Sequence, residues 1–498
     1  MLGGISRRIF LGGAVSAFAG VAVGEAPLRS IRPAPKPGTP AALTAPALED
    51  LLAQARLGGE LGFVVVDART GQRLEAHEPD LALPPASVTK VVTALYATEA
   101  LGQDFRYRTQ FVATGPMVDG VIQGDLVLTG SGDPMLDTDA LSNMIARLKD
   151  KGVTGVTGAF RVFAGALPYI RSIDPRQPDH VGYNPAISGT NLNFNRVHFQ
   201  WQRADAGWQV SMDARSDTLR PPVTMARMAV VNRDMPTYTY SAQQGGVDEW
   251  TVAAGALGNG GSRWLPVRRP DLYAGEVTQV IAKAHGIRLP APDVAEQGVD
   301  GGRVLVSHES ASLATIVELM LLHSTNLTAE VIGLTATAAR GGDATSLEAS
   351  AREMTAWMRA QTGAESAHFV DHSGLSDRSQ VSPADMVRLL VKVGPGSTLH
   401  AQLKDIAPLN ARGEALTGAG YKIQAKTGSL NFVSSLAGFV TGPGDTVLAF
   451  AVFSGDVARR AEIAPDDMER PDGARAWAGR ARWLQHQLIH RWSTLYSA

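Results

Sequence analysis

The sequence predicts an α+β protein in which one antiparallel sheet, flanked by helices, is split along the chain by a large β-rich insertion. Three patterns support this class: a β-hairpin near residue 61, a series of helices after Ser310, and three alternating strands between Tyr421 and Phe453. Because the first hairpin and the last strands can share one sheet, we expect one domain built from both ends of the chain.

The composition is that of a globular protein without a strong overall charge. Of the 498 residues, 44% are apolar and 19% are charged, which argues against disorder and against a protein with many membrane spans. Lys and Arg number 46 and Asp and Glu 48, so the net charge is -2. No basic field exists to hold a nucleic-acid backbone, and we expect no nucleic-acid partner.

Cysteine is absent from the chain, which excludes disulfides, thiolate metal sites, iron-sulfur clusters and a cysteine nucleophile. We therefore expect no cofactor and no metal, although metal ligation by histidine alone stays open.

Residues 1–26 have the features of an export signal. Arg7 and Arg8 precede an apolar run over residues 9–23, and the small residues Gly24 and Ala26 follow it. The paired arginines are typical of the twin-arginine type of signal. A run of about 15 residues is shorter than the ~20 that span a bilayer, so a removable signal is favoured over the alternative of a retained anchor.

A spacer rich in Pro and Ala follows at residues 27–48. No later stretch approaches 18 consecutive apolar residues, so we expect no stable membrane span once the signal is removed. The sequence thus predicts a periplasmic protein, and its oligomeric state stays open.

The domain built from both ends of the chain is predicted over residues 49–105 and 305–498. Strands at 61–67 and 73–76 form the first hairpin, and a helix follows Pro84 and Pro85. In the second part, the patterns predict helices at 313–322, 328–339, 354–362, 383–391 and 474–492, and strands at 421–428, 434–440 and 446–453.

Residues 106–304 form the predicted insertion. Short β-like runs at 108–114, 124–130 and 208–212 alternate with turns rich in Gly, Pro and Asn. We expect this region to be β-rich and to form two subdomains.

Ser87 and Lys90 form the first motif that can carry chemistry. At a spacing of three on a helix the hydroxyl and the amine share one face, where the amine can accept the hydroxyl proton. The alternative is a capping serine beside a solvated lysine. The rest of the helix is apolar, which makes a solvated lysine less expected.

Two further motifs follow in the chain. Ser324 and Asn326 lie at a joint between two predicted helices, where polar capping residues are ordinary. Lys426 and Gly428 interrupt a predicted strand, and glycine there allows a ligand backbone to approach closely. An exposed edge strand with a protective lysine is the alternative for this last motif.

Together these motifs resemble the Ser-x-x-Lys, Ser-x-Asn and Lys-Thr-Gly set of penicillin-binding proteins and serine β-lactamases. The chain resembles in particular the serine D-Ala-D-Ala carboxypeptidases of the penicillin-binding protein 4 type, in which a long insertion also separates the first two motifs. That resemblance covers the chain from about residue 50 to its end. It is carried by Gly-Ser-Gly-Asp-Pro at 130–134, Asp-His-Ser-Gly-Leu-Ser at 371–376 and Ala-Lys-Thr-Gly-Ser-Leu at 425–430.

The resemblance implies a serine β-lactamase/transpeptidase-like fold and a Ser87 nucleophile that forms an acyl-enzyme at the carbonyl between two D-alanines. Peptidoglycan stem peptides, their cross-links and covalently bound β-lactam antibiotics are the implied partners. A free lysine is neutral only ~0.04% of the time at pH 7, so Lys90 needs burial and a second cation, Lys426, to act as a base.

The remaining roles also follow from the resemblance. Ser324 would relay a proton to the leaving amine, and Asn326 would hold Lys90 and the substrate backbone. The backbone N–H groups of Ser87 and Ser429 would form the oxyanion hole, and Lys426 with Thr427 would receive the terminal carboxylate. The implied substrate-binding residues are Thr427, Gly428, Ser429, Asn431, Asp377 and Arg378.

This chain departs from the family pattern on one side of the pocket. Asp377 stands where an arginine is usual and Arg378 follows it, while Asn431 stands where glutamine is frequent and His372 replaces a common glycine. An aspartate at that position would repel a free side-chain carboxylate on the stem peptide. We expect little preference for stem peptides that carry one.

The sequence offers less support for other enzyme classes. Neither Gly-x-Ser-x-Gly nor His-Glu-x-x-His occurs, and His323 and His372 are better explained as core or loop residues than as members of a triad. A β-lactamase or esterase on the same fold and a catalytically idle cell-wall binding protein stay as alternatives.

The signal generates a test. Replacing Arg7→Lys together with Arg8→Lys keeps the charge and the hydrophobicity, yet it should leave the precursor in the cytoplasm if the twin-arginine route is used. Cell fractionation with antibody detection measures this. Normal export of the double variant would point to the general secretory route.

Overall fold

The computed structural model describes residues 45–496 apart from Ala206 and Asp300. The predicted export signal and residues 27–44 of the predicted spacer lie outside the described residues. Within the described part, no helix is long and apolar enough to cross a membrane. The helices are α1 (Leu48–Ala55), α2 (Thr89–Leu101), α3 (Thr138–Asp150), α4 (Pro270–Ala284), α5 (Leu313–His323), α6 (Asn326–Ala339), α7 (Leu347–Thr362), α8 (Pro383–Val393), α9 (Thr398–Gln402), α10 (Val457–Ala461) and α11 (Ala474–Tyr496).

The strands of the described residues fall into five sheets. They are β1 (Glu60–Asp67), β2 (Arg73–His77), β3 (Arg108–Ala113), β4 (Met117–Val118), β5 (Val121–Ile122), β6 (Leu126–Gly130), β7 (Gly155–Val156), β8 (Phe160–Phe163), β9 (Arg196–Ala204), β10 (Gly207–Asp213), β11 (Ala226–Val231), β12 (Tyr238–Ala242), β13 (Asp248–Ala253), β14 (Gly260–Pro266), β15 (Pro292–Ala295), β16 (Arg303–Glu309), β17 (Lys404–Ile406), β18 (Lys422–Leu430), β19 (Val433–Thr441) and β20 (Val447–Gly455).

The two ends of the chain meet in one six-stranded antiparallel sheet with the order β17-β18-β19-β20-β1-β2. Strand β1 pairs with β20 along its whole length, for example with Val64 opposite Ala451. The N-terminal hairpin and the C-terminal strands therefore share a sheet, and the predicted α+β class is confirmed.

Alternate residues along a strand of this sheet pack into two different apolar clusters. In β20, Ala449 and Ala451 belong to a buried cluster formed with helices α2, α5, α6, α7 and α8. The intervening Phe450 and Val452 belong to a cluster on the other face, which α1 and α11 cover. Both faces of these strands are buried, because the side chains alternate along a strand and each face has its own helical layer.

The predicted insertion contributes most of a five-stranded sheet with the order β15-β8-β6-β3-β16. Strand β16 pairs with β3 and reaches Glu309, so the boundary predicted at residue 304 falls inside this strand. Helices α3 and α4, which the sequence patterns do not predict, pack on this sheet. One apolar cluster runs from Phe111 in this sheet to Trp250 in β13, and the division into two subdomains stays a prediction.

A glycine in α6 allows close packing against the segment at 371–376. A Cβ atom added to Gly333 would lie 2.2 Å from the ring of His372, which is fully buried. Nε2 of that ring lies 2.8 Å from Ser350 Oγ. Burial lowers the pKa of His372 to about 3, so the ring is neutral and packs as a core group.

We predict that Gly333→Ala lowers the free energy of unfolding by about 1 to 3 kcal/mol, because the new methyl group collides with this ring. Denaturant unfolding measures the change. Gly479→Ala in α11 is the matched control, since a Cβ there meets no described atom within 4 Å. The control should be stabilising by up to about 1 kcal/mol, the usual effect of alanine over glycine in a helix. A Gly333→Ala protein as stable as the wild type would contradict the packing argument.

Candidate active site

Ser87 lies in a strained turn at the start of α2. It belongs to the 3₁₀ turn Ala86–Val88, and Ala86 has a left-handed φ of 47°. That conformation costs an L-residue about 1 to 2 kcal/mol, so surrounding packing has to maintain it.

Two glycines allow the neighbouring segments to close on this turn. A Cβ atom on Gly374 would lie 1.8 Å from the carbonyl oxygen of Ala86, and one on Gly428 would lie 2.4 Å from that of Pro85. The segment at 371–376 and strand β18 can therefore contact the backbone directly before Ser87 only because both positions lack a side chain.

The amine of Lys90 is fully buried next to Ser87, with an exposed fraction of 0%. Its Nζ lies 3.0 Å from Ser87 Oγ. It also donates to Asn326 Oδ1 at 2.8 Å and to the carbonyl oxygen of Ser373 at 2.7 Å. Three segments distant in sequence thus meet at one amine.

The environment of Lys90 favours its neutral form. Burial lowers the pKa of Lys90 well below its ordinary value, and the positive charge of Lys426 lowers it further. The buried carboxylates Glu330 and Asp371 act in the opposite direction. A neutral amine within hydrogen-bond distance of a serine hydroxyl can act as a general base.

Ser324 and Lys426 form a second hydroxyl-amine pair. Ser324 follows α5 with a left-handed φ of 58°, and Lys426 lies in the middle of β18. Lys426 Nζ donates to Ser324 Oγ at 2.9 Å and to the carbonyl oxygen of Thr427 at 3.0 Å. Burial, with a contribution from Lys404, lowers the pKa of Lys426 to about 8. This group is therefore largely cationic at neutral pH.

The insertion contributes directly to the site. Asn326 Nδ2 donates to the carbonyl oxygen of Tyr183 at 2.9 Å, while its Oδ1 accepts from Lys90. The orientation of the Asn326 amide is thus set from both sides. Nothing in the sequence around Tyr183 indicates this contact.

A cavity of about 1180 Å³ opens beside the two pairs. It runs from Ser87 and Ser324 past Ser429 and Asn431 to the segment at 468–478, which precedes and begins α11. Such a volume exceeds the upper end of the usual range of about 300 to 1,000 Å³ for small-molecule pockets, and a peptide segment would fit it.

The carboxylate of Asp377 is paired with two arginines. It lies 2.6 Å from Arg176 Nη2 of the insertion and 2.6 Å from Arg460 Nε, which follows β20. Burial by itself would raise the pKa of Asp377. The hydrogen bonds and charges of Arg460 and Arg176 outweigh burial and hold this pKa below its ordinary value. Two arginines therefore compensate the charge of Asp377, and the expected repulsion of a substrate carboxylate stays a prediction.

The other expected substrate-binding residues are dispersed. Ser429 and Asn431 line the cavity, and Asn431 Nδ2 donates to the carbonyl oxygen of Met468 at 2.7 Å. Thr427 is exposed on β18 next to Lys426. Arg378 is exposed and lies 3.4 Å from Glu348, and it does not line the cavity.

Several residues of the site escape sequence reasoning. Ser373, Asp371 and Gly374 lie within the quoted stretch at 371–376, but no local pattern assigns them a role. Glu330 carries the clearest signal, because a carboxylate on an otherwise apolar helix is unusual. Among the described residues, no group of three or more His, Asp or Glu side chains is placed to hold a metal ion.

Known structures show the same architecture. The crystal structure of penicillin-binding protein 4 (dacB) from Haemophilus influenzae superposes with a TM-score of 0.68 at 20% identity, and covers 88% of this chain and 98% of that one. This likeness establishes the fold.

Curated relatives are similar over most of their length. A D-alanyl-D-alanine carboxypeptidase of an Actinomadura species is 28% identical, over 88% of this chain and 86% of the relative. D-alanyl-D-alanine carboxypeptidase DacB of Haemophilus influenzae is 23% identical, over 84% and 91%.

Fold and relatives together define a serine-type D-Ala-D-Ala carboxypeptidase of the penicillin-binding protein 4 type. The family model of the D-Ala-D-Ala carboxypeptidase 3 (S13) family matches residues 44–471, and the chain belongs to that family.

Proposed function

We propose that the enzyme cleaves D-Ala-D-Ala through an acyl-enzyme on Ser87, with Lys90 as the general base. The observation that carries this proposal is the fully buried Lys90 amine, 3.0 Å from Ser87 Oγ. A lysine in this environment is neutral at a pH where a solvated lysine is charged, and so it can accept a proton.

In the first step, the proton of Ser87 Oγ moves to Lys90 Nζ while Oγ bonds to the carbonyl carbon between the two D-alanines. The carbonyl oxygen becomes an oxyanion, which the backbone N–H groups of Ser87 and Ser429 stabilise. Asn326 keeps the Lys90 amine in line with Oγ through its 2.8 Å hydrogen bond.

In the second step, the carbon-nitrogen bond breaks and the terminal D-alanine leaves as an amine. Ser324 donates its hydroxyl proton to that nitrogen and recovers one from Lys426, to which it is hydrogen bonded at 2.9 Å. Water then attacks the acyl carbon, and its proton passes through Ser324 back to Lys426. As the acyl bond to Oγ breaks, Lys90 returns its proton to Ser87 Oγ, so that both pairs recover their starting protonation. The charge of Lys426, with the hydroxyl of Thr427, binds the terminal carboxylate of the substrate.

Peptidoglycan stem peptides are the substrates in this proposal, and β-lactams acylate the same serine. The cavity continues well beyond Ser87, so it can also hold the second peptide of a cross-link, which favours endopeptidase activity as well. Such substrates lie outside the cytoplasmic membrane, and export by the signal at residues 1–26 to the periplasm belongs to the proposal.

We predict that Ser87→Ala abolishes both labelling by a fluorescent penicillin and release of D-alanine while the fold is kept, because the nucleophile is lost. Ser262→Ala, at an exposed serine of β14, is the matched control and should label normally. Labelling that survives in Ser87→Ala would remove Ser87 from the role. In the wild type, rapid loss of the label would favour a β-lactamase, and no label would favour an idle binding protein.

Lys426→Ala should shift the rise of the acylation rate with pH to a midpoint at higher pH. Acylation needs neutral Lys90, and the charge of Lys426 lowers the pKa of Lys90, so removing that charge raises it. Penicillin acylation rates measured across pH test this shift. Lys422→Ala, at an exposed position of the same strand, is the control and should leave the midpoint unchanged. An unmoved midpoint in Lys426→Ala would rule out its electrostatic role.

A further inference from the structure

Helix α6 carries a carboxylate that the proposed mechanism does not use. Glu330 has an exposed fraction of 0% and lies one helical turn after Asn326. Residues four apart share a face of a helix, so both side chains point toward the same region. Asn326 contacts Lys90 directly, whereas Glu330 contacts the segment at 371–376.

Glu330 binds two backbone N–H groups of the segment at 371–376, and the same segment contacts Lys90. Its Oε2 accepts the backbone N–H of His372 and its Oε1 accepts that of Ser373, both at 2.9 Å. The carbonyl oxygen of the same Ser373 accepts from Lys90 Nζ at 2.7 Å. The carboxylate and the amine therefore bind the N–H and the carbonyl oxygen of the same residue, Ser373.

An ionised carboxylate satisfies both of these donors best, because each of its two oxygens accepts one N–H. A glutamine offers one carbonyl oxygen, and its NH₂ group would face the second backbone N–H. Burial and the nearby charge of Asp371 raise the pKa of Glu330 above its ordinary value, whereas the hydrogen bonds from Ser373 and His372 and the charge of Lys90 oppose that rise and favour the ionised form. A buried acid that is this costly to ionise has no evident purpose in packing alone.

We infer that Glu330 is a positioning residue of the reaction: it places the Ser373 carbonyl against the Lys90 amine and supplies a negative charge to the buried site. This inference rests on the proposed role of Lys90 as the base. It concerns a residue outside the three motifs and gives α6 two contacts with the base, one through Asn326 and one through the segment at 371–376.

The charged groups around Lys90 give the sign of the expected effect. Lys426 on β18 lowers the pKa of Lys90, while Glu330 on α6 and Asp371 before Ser373 raise it. The ring of His372, which belongs to the same segment, is neutral above a pH of about 3. Removing the negative charge of Glu330 should thus lower the pKa of Lys90.

Two variants, Glu330→Gln and Thr93→Val, distinguish the effect of the Glu330 charge from the effect of the hydrogen bonds that position the segment at 371–376. Thr93 Oγ1 donates to the carbonyl oxygen of His372 at 2.6 Å, so it holds the same segment from α2 without a charge. Both variants should acylate more slowly, by about ten- to a hundredfold for a misplaced base. Only Glu330→Gln should also move the midpoint of the pH profile, to a lower pH.

The experiment measures acylation of the full-length variants by a fluorescent penicillin across pH, with thermal unfolding as a check of the fold. An unchanged midpoint in a folded Glu330→Gln protein would overturn the inference. If that variant does not fold, Glu330→Asp tests the inference instead, because it keeps the charge on a shorter side chain. It should be slow with the wild-type midpoint, and a wild-type rate would overturn the inference. Absence of wild-type labelling would instead contradict the proposed function.

Discussion

A lysine amine buried without solvent contact is the constraint on which the rest of the site depends. Burying an unpaired ammonium group would cost several kcal/mol, so Lys90 either loses its proton or finds compensating groups. Here its acceptors come from the turn that carries Ser87, from Asn326 on α6 and from the Ser373 carbonyl. All three segments must meet at one point, and that requirement aligns α2, α6 and the segment at 371–376.

Backbone strain accompanies both hydroxyl-amine pairs. Ala86, directly before Ser87, and Ser324 itself both have left-handed φ values. Such conformations persist only where the surroundings overdetermine them. Gly374 and Gly428 contribute that support, because the absence of a Cβ lets two segments pack against the backbone before Ser87. The strained turn and the glycines are therefore parts of one arrangement.

The insertion is tied to the catalytic part by polar contacts around the cavity. The Tyr183 carbonyl orients the Asn326 amide on one side. On another side Glu469, from the segment before α11, pairs with His180 at 2.7 Å and with Arg263 at 2.9 Å. These partners belong to the insertion, so its placement affects both the base and the outer wall of the cavity. The predicted insertion thus contributes contacts to the candidate site, although it carries none of the three motifs.

The features that could be predicted from the sequence are those set by local spacing. The alternation in β18, β19 and β20 and the three-residue step from Ser87 to Lys90 are properties of a single element, so they are visible in the chain itself. Helices α3 and α4 escape prediction because they lie among short β-like runs. The ion pairs of Asp377 escape prediction for a different reason, since its partners Arg460 and Arg176 are 83 and 201 residues away. An ionised side chain acts through what surrounds it, and only tertiary packing determines those surroundings.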